Sequence, residues 1–203
     1  MLEDRDLDAA LGRMSPICIE GIGVRLIRKM FMKEPLSVKG SVIAGGRYNI
    51  PGYLQEKGLP IAGALYVARD IEIAMTELGT DLEQSKKVDP ESLYKLISFR
   101  ISYKLDGVLD LTNSSNLSIL KTSYQELTGN WREANEEYEI VPTQMLGLAV
   151  MRSNQFNVIK CHSAQTSRGN NYNLAIFIAE VNEIDTIDRD GIYLKAEEFS
   201  YDD

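Results

Sequence analysis

The stretch Gly45-Gly46-Arg47-Tyr48-Asn49-Ile50-Pro51-Gly52 is the part of this chain best suited to hold an anion. Glycine permits backbone conformations that a side chain forbids, and Pro51-Gly52 reads as a turn. An arginine on so tight a frame presents a fixed fork of donors to a phosphate or a carboxylate. Three more polar residues stand where chemistry could be done. Tyr66 interrupts the apolar run from Ala64 to Ala68. Glu77 lies beside the apolar stripe of the following helix, one turn after Ile73. Ser163 follows a strand and precedes a polar loop. Each also has a plain structural reading: a hairpin loop with a surface arginine, a core tyrosine with a satisfied hydroxyl, a helix-surface carboxylate, a serine capping a turn.

Other chemistries find little support. The chain has no P-loop signature, no dinucleotide-fold glycine fingerprint and no zinc-ligand pair. His162 is the only histidine. Ser163, its neighbour, is a poor partner for it, because successive strand residues point to opposite faces. A serine–histidine–acid triad is therefore disfavoured.

Composition sets the bounds. The chain has 203 residues, 44% of them hydrophobic, and a formal net charge of -8. That suits one domain with a core that needs no staples. An acidic chain has no general attraction to nucleic acid, so no direct nucleic-acid partner is expected. Cys18 and Cys161 match no metal spacing and read as reduced thiols, with a single long-range disulfide as the alternative. The charged start and the lack of a long apolar segment predict neither a signal peptide nor a membrane span. The expected location is the cytoplasm, with delivery into another cell left open.

The elements that must position these residues follow from periodicity. Residues 4–14 read as a short helix and 24–32 as a strand, with Gly21 and Gly23 as punctuation before it. Residues 64–68 read as a buried strand. Residues 71–79 read as a helix capped by Asp70 and ending at Gly79, with a stripe of Ile71, Ala74, Met75 and Leu78. Strands are predicted over 94–105, 108–111, 156–161 and 172–179, with a closing hairpin at 184–187 and 191–194. Residues 117–127 read as a helix, and 131–139 as an acidic loop or frayed helix with the only tryptophan. Pro142 opens a helix striped by Met145, Leu148, Ala149 and the stem of Arg152. Strands among helices without regular βαβ alternation predict an α+β fold.

The order of these segments carries a resemblance. Gly-Gly-Arg47-Tyr-Asn-Ile-Pro-Gly, Leu-Tyr66-Val-Ala and Ala74-Met-Thr-Glu77 resemble the core of the RES-domain family, named for its arginine, glutamate and serine. Pro142-Thr-Gln-Met-Leu-Gly-Leu-Ala, Phe156-Asn-Val-Ile-Lys-Cys-His-Ser163-Ala and Gly169-Asn-Asn-Tyr-Asn173-Leu-Ala-Ile-Phe resemble it in the same order. The resemblance spans about residues 25–179 of a single domain, 1–203, whose ends are peripheral. This chain has Tyr48 where the family usually has tryptophan, a longer segment over 50–63, and His162 where proline is frequent.

The resemblance implies an ADP-ribosyltransferase-like fold, with central split or mixed β-sheets flanked by helices. It implies a toxin of a toxin–antitoxin pair that consumes NAD by hydrolysis or phosphorolysis, NAD being the substrate and no metal being needed. A transferase that ADP-ribosylates a protein is the alternative, and a non-catalytic binding module a further one. The implied partner is a helix-turn-helix, Xre-type antitoxin covering the cleft, and a homodimer stays open. The implied catalytic set is Glu77, Arg47, Tyr66 and Ser163. Glu77 would stabilise positive charge building on the ribose. Arg47 would bind the pyrophosphate or ribose side, Tyr66 would stack on nicotinamide or shape its pocket, and Ser163 would donate to the nicotinamide or phosphate side. Tyr48 and Asn49 join the NAD-binding set, and Arg25 is a second candidate phosphate ligand.

Overall fold

A computed structural model describes residues 1–54, 63–84, 96–164, 171–178 and 185–199, with side chains of the third helix described as far as residue 77. The predicted excursion over 53–60, the charged 81–91 segment, most of the 162–171 loop and Leu78 of the helix stripe lie wholly or mainly outside the described residues. The helices are α1 (Asp4–Leu11), α2 (Lys39–Ala44), α3 (Ile71–Gln84), α4 (Ser114–Ile119), α5 (Tyr124–Leu127), α6 (Trp131–Glu136) and α7 (Pro142–Arg152). The strands are β1 (Ile17–Arg28), β2 (Gly63–Ala68), β3 (Leu96–Asp110), β4 (Val158–His162), β5 (Tyr172–Ile178), β6 (Thr186–Arg189) and β7 (Ile192–Phe199).

Among the described residues the strands form one seven-stranded mixed sheet, ordered β1-β2-β5-β4-β3-β7-β6. β3 and β4 are parallel; the other pairs are antiparallel. β1 also pairs with β3 along most of its length, and touches β2 where Val24 meets Ala68. The sheet therefore folds back on itself.

Strand alternation divides the interior into two cores. Ala64, Ile159, Cys161, Ala175 and Phe177 face a core shared with α1 and α7. Leu65, Val67, Val158, Leu174 and Ile176 face the other core, with β3 and β7. β2 and β5 are thus buried on both faces, which is why both read as nearly unbroken apolar runs. α7 is locked to α1 by Arg152, whose Nη2 reaches Asp4 (2.7 Å) and Asp8 (3.1 Å).

Several boundaries differ from expectation. β1 begins at Ile17 instead of Val24 and ends at Arg28; Lys29–Phe31 is a 3-10 turn with Met30 and Phe31 exposed. The two strands predicted over 94–111 are one, β3, carried through Gly107 at φ 66°. The helix predicted over 117–127 is two, α4 and α5, separated at Lys121, which takes φ 49°. α3 runs past Gly79 to Gln84. Its buried face holds Ile73 and Ala74, whereas Met75, predicted to lie on the stripe, is half exposed. A residue next to a buried pair at 100° per residue turns toward solvent. Glu77, one turn after Ile73, borders the buried face as predicted.

Candidate functional site

The Gly45–Gly52 loop is fastened from within. Gly45 ends α2 at φ 74°, a conformation that glycine adopts without penalty. Gly46 and Asn49 close a tight turn, with Gly46 N donating to Asn49 O (2.9 Å). Asn49 is buried; its Nδ2 donates to Ser41 O (2.7 Å). The Tyr66 hydroxyl accepts from Tyr48 N (3.1 Å) and donates to Asn49 Oδ1 (2.9 Å). From the other side the fully buried Gln144 of α7 donates through Nε2 to Gly46 O (3.1 Å) and to Asn135 Oδ1 (2.8 Å). Three elements, α2, β2 and α7, therefore hold one loop directly, and Asn135 of α6 steadies it through Gln144.

This latch sets an expected result. Tyr66→Phe removes a donor and an acceptor and leaves Tyr48 N–H and Asn49 Oδ1 unsatisfied inside the protein. Such loss costs about 1–3 kcal/mol. Chemical denaturation should show a lower midpoint with an unchanged slope, and an unchanged midpoint would remove the hydroxyl from the latch.

Arg47 points from this loop toward the α5–α6 connection. Its Nη1 donates to Leu127 O (2.9 Å) and Gly129 O (2.7 Å). Leu127 and Gly129 precede Trp131, and the guanidinium of Arg132 stacks over the Trp131 ring at 4.2 Å from its centroid. Arg47 thus ties the Trp131 wall to the glycine loop.

On the facing side stands Glu77. Its Oε1 accepts from Ser163 Oγ (2.6 Å), Asn173 Nδ2 (2.8 Å) and Ala164 N (3.2 Å). Among the described residues no hydrogen bond ends on Oε2. Between these walls lies a cavity of about 790 Å³. Small-ligand sites span roughly 300–1,000 Å³. Arg25, Arg47, Tyr66, Glu77, Trp131 and Arg132 all line it. Three arginines gather there although the chain carries a net charge of -8.

Arg25 lies in β1 opposite Phe99. Its Nη2 donates to Ser37 O (2.9 Å), while Nη1 is buried with no hydrogen-bond partner among the described residues. Burial lowers its pKa to about 10. An anion in the cavity would relieve that desolvation.

Burial works against Tyr48, Tyr66 and Cys161 as nucleophiles, because it disfavours their charged forms. Burial raises the Tyr66 and Tyr48 hydroxyls well above the ordinary tyrosine value. Burial likewise raises the Cys161 thiol to about 11, so the thiolate is scarce at neutral pH. Cys18 and Cys161 are both free, one exposed and one buried.

The structure brings Arg25, Arg47, Tyr48, Tyr66 and Glu77 to the cavity. It places two predicted contacts behind its wall. Asn49 is buried inside the loop, and Ser163 is fully buried with its hydroxyl on Glu77. His162 lines the cavity and packs edge-on against Tyr124 at 5.9 Å. Sequence reasoning missed Gln144 and Asn135, whose buried amides hold the loop, and gave Trp131, Arg132 and Asn173 no role. A glutamine on an otherwise apolar helix face was the legible signal for Gln144. Among the described residues no group of three or more His, Cys, Asp or Glu is placed to hold a metal ion, and no helix is long and apolar enough to cross a membrane.

Fold and site together define a mixed α/β protein with a carboxylate held against an arginine-lined cavity. The family model for the RES domain matches residues 24–202, and the chain belongs to that family. No curated protein sequence matches it. In fold it is similar to a chain of the crystal structure of the M. tuberculosis MbcT–MbcA toxin–antitoxin complex. The TM-score is 0.64 and the identity 15%, over 97% of this chain and 91% of that chain.

Proposed function

We propose that this chain is the toxin of a toxin–antitoxin pair and cleaves the nicotinamide–ribose bond of NAD on an ADP-ribosyltransferase-like fold. The observation that carries the reading is Glu77, held by three donors on Oε1 and with no hydrogen bond on Oε2 among the described residues, in a cavity that also gathers Arg25, Arg47 and Arg132. Family membership and the likeness to a chain of a toxin–antitoxin complex support it.

The chemistry suits these residues. As the C1′–N bond breaks, its electron pair moves to the nicotinamide nitrogen, and that ring leaves neutral. Positive charge builds on the ribose. Glu77 Oε2 stabilises it electrostatically. The nucleophile, water or phosphate, forms the new bond to C1′ and loses its proton to solvent. No strong general acid is required, in keeping with a cavity whose one imidazole is His162. Arg47 and Arg25 neutralise the pyrophosphate, and Trp131 offers a ring face to a base. An antitoxin that covers the cavity mouth would block entry of NAD.

The test is NAD consumption by the purified chain, with chromatography of products in the presence and absence of phosphate. Nicotinamide release is the expected result, and its phosphate dependence names the acceptor. Because Trp131 is the only tryptophan, its fluorescence reports binding of ADP-ribose at this wall. Radiolabel from NAD appearing on a protein of a cell extract would replace the proposal with protein ADP-ribosylation. Absence of both turnover and a fluorescence change would overturn the proposal in favour of a binding module.

A further inference from the structure

We infer that Asn173 is a positioning residue for the Glu77 carboxylate, and that its side-chain amide makes Oε2, not Oε1, the oxygen that meets the substrate. The inference rests on the NAD reading for its kinetic consequences and on geometry alone for its placement.

A carboxylate only accepts hydrogen bonds, so an amide beside it presents its nitrogen. Asn173 Nδ2 stands 2.8 Å from Oε1. The other two donors to that oxygen, Ser163 Oγ and Ala164 N, come from the chain just beyond β4. Two of the three donors are thus local neighbours in sequence. Asn173 is the third and comes from a different strand. In a triangle of donors the third direction fixes rotation about the last side-chain bond, which two adjacent donors leave loose.

The framework around Asn173 is stiff. It sits in β5, with Cys161 of β4 opposite on one side and Ala68 of β2 opposite on the other. Ala68 is the last residue of β2, and α3 starts three residues on at Ile71. Asp70 Oδ1 caps that helix by accepting from Ile73 N at 3.0 Å. The register of β2 against β5 therefore sets both the origin of the helix bearing Glu77 and the position of the amide that meets it. One sheet register aligns donor and acceptor.

With Oε1 saturated, the carboxylate cannot rotate to offer either oxygen equally. Among the described residues no hydrogen bond ends on Oε2, so its lone pairs are the ones left for a ligand in the cavity that Glu77 lines. A side chain held within a narrow range of orientation contributes chiefly to the transition state, because charge on the ribose exists only there. Loss of Asn173 should therefore reduce kcat and leave ground-state binding nearly as it was.

The experiment compares Asn173→Ala and Asn173→Asp with the wild-type chain. Removing a hydrogen bond to a charged group predicts a kcat loss of about 10- to 100-fold for Asn173→Ala. KM and the ADP-ribose dependence of Trp131 fluorescence should change by less than roughly threefold, since neither reads the transition state. Asn173→Asp keeps the shape, removes the donor and brings a second carboxylate against Glu77. It should lose more than Asn173→Ala, whereas a packing role alone would favour the isosteric aspartate. In parallel, 15N-edited NMR of the full chain should show the Asn173 side-chain amide resonances moving strongly in Glu77→Ala. Wild-type kcat in both variants, a loss confined to KM, or an Asp variant better than the Ala variant would overturn the inference. So would Asn173 amide signals indifferent to Glu77. A wild-type chain that leaves NAD intact would instead overturn the substrate reading, and the NMR comparison then decides the placement by itself.

Discussion

Glu77→Gln should abolish NAD cleavage while the chain keeps its fold and its affinity for ADP-ribose. The change preserves the shape of the side chain, and an amide oxygen can still accept from Ser163 Oγ and Asn173 Nδ2. What disappears is the negative charge offered by Oε2 to the ribose. Electrostatic stabilisation of a developing charge in a water-excluded site is commonly the largest single contribution to rate. A loss on the order of 10³-fold in kcat or more is expected, which corresponds to about 4 kcal/mol or more of transition-state stabilisation. KM should move far less, because the positive charge on the ribose develops only in the transition state. The check is steady-state turnover beside single-tryptophan fluorescence titrated with ADP-ribose. A folded Glu77→Gln chain that cleaves NAD at near wild-type rate would remove Glu77 from the chemistry. A variant that loses ADP-ribose binding as well would make Glu77 a ligand contact and not a charge stabiliser.

Local pattern made part of this site legible. The glycine frame around Arg47, the hydroxyl inside an apolar strand at Tyr66 and the carboxylate one turn after Ile73 all announce themselves in a single segment. Asn173 does not, because its partner lies 96 residues away and the meeting depends on the register of β2, β5 and β4. Ser163 was visible as a polar residue at a strand end, but its burial and its bond to Glu77 are tertiary facts. Gly21 and Gly23 misled for a physical reason. They read as punctuation, yet they lie inside β1, where a Cβ would stand 2.8 Å from Tyr103 Oη at Gly21 and 2.7 Å from Ala68 O at Gly23. Glycine in a strand interior can mark a close approach as well as a break. The alternation Met30, Met32 was likewise insufficient, since the chain leaves the sheet after Arg28 and both side chains are exposed. Periodicity reports what a stretch could bury, and only the rest of the fold decides whether something is there to bury it.

The second large effect concerns stability, and its sign is opposite to the one helix propensity gives. Gly147 is interior to α7, and glycine there costs roughly 1 kcal/mol relative to alanine on propensity alone. Gly147→Ala should nevertheless destabilise the chain. A Cβ at Gly147 would fall on the backbone carbonyl oxygen of Tyr48, with Phe177 Cζ at 3.3 Å on another side. The obstacle is main chain, so no rotamer change relieves it. The loop that carries Tyr48 is bonded to α7 through Gln144 and to β2 through Tyr66, so it cannot retreat without breaking those bonds. Overpacking of this kind costs about 3 kcal/mol, against which the propensity gain of about 1 kcal/mol is the smaller effect. For a chain of this length, a net loss of about 2 kcal/mol lowers the melting temperature by roughly 4–8 °C. Gly40→Ala in α2 is the matched control: a Cβ there meets nothing within 4 Å, so propensity acts alone and the midpoint should rise or hold. Calorimetry on the two variants separates the cases. Equal shifts in the same direction would mean that Tyr48 yields to α7 freely, and the close packing of loop on helix would then have no part in fixing Arg47.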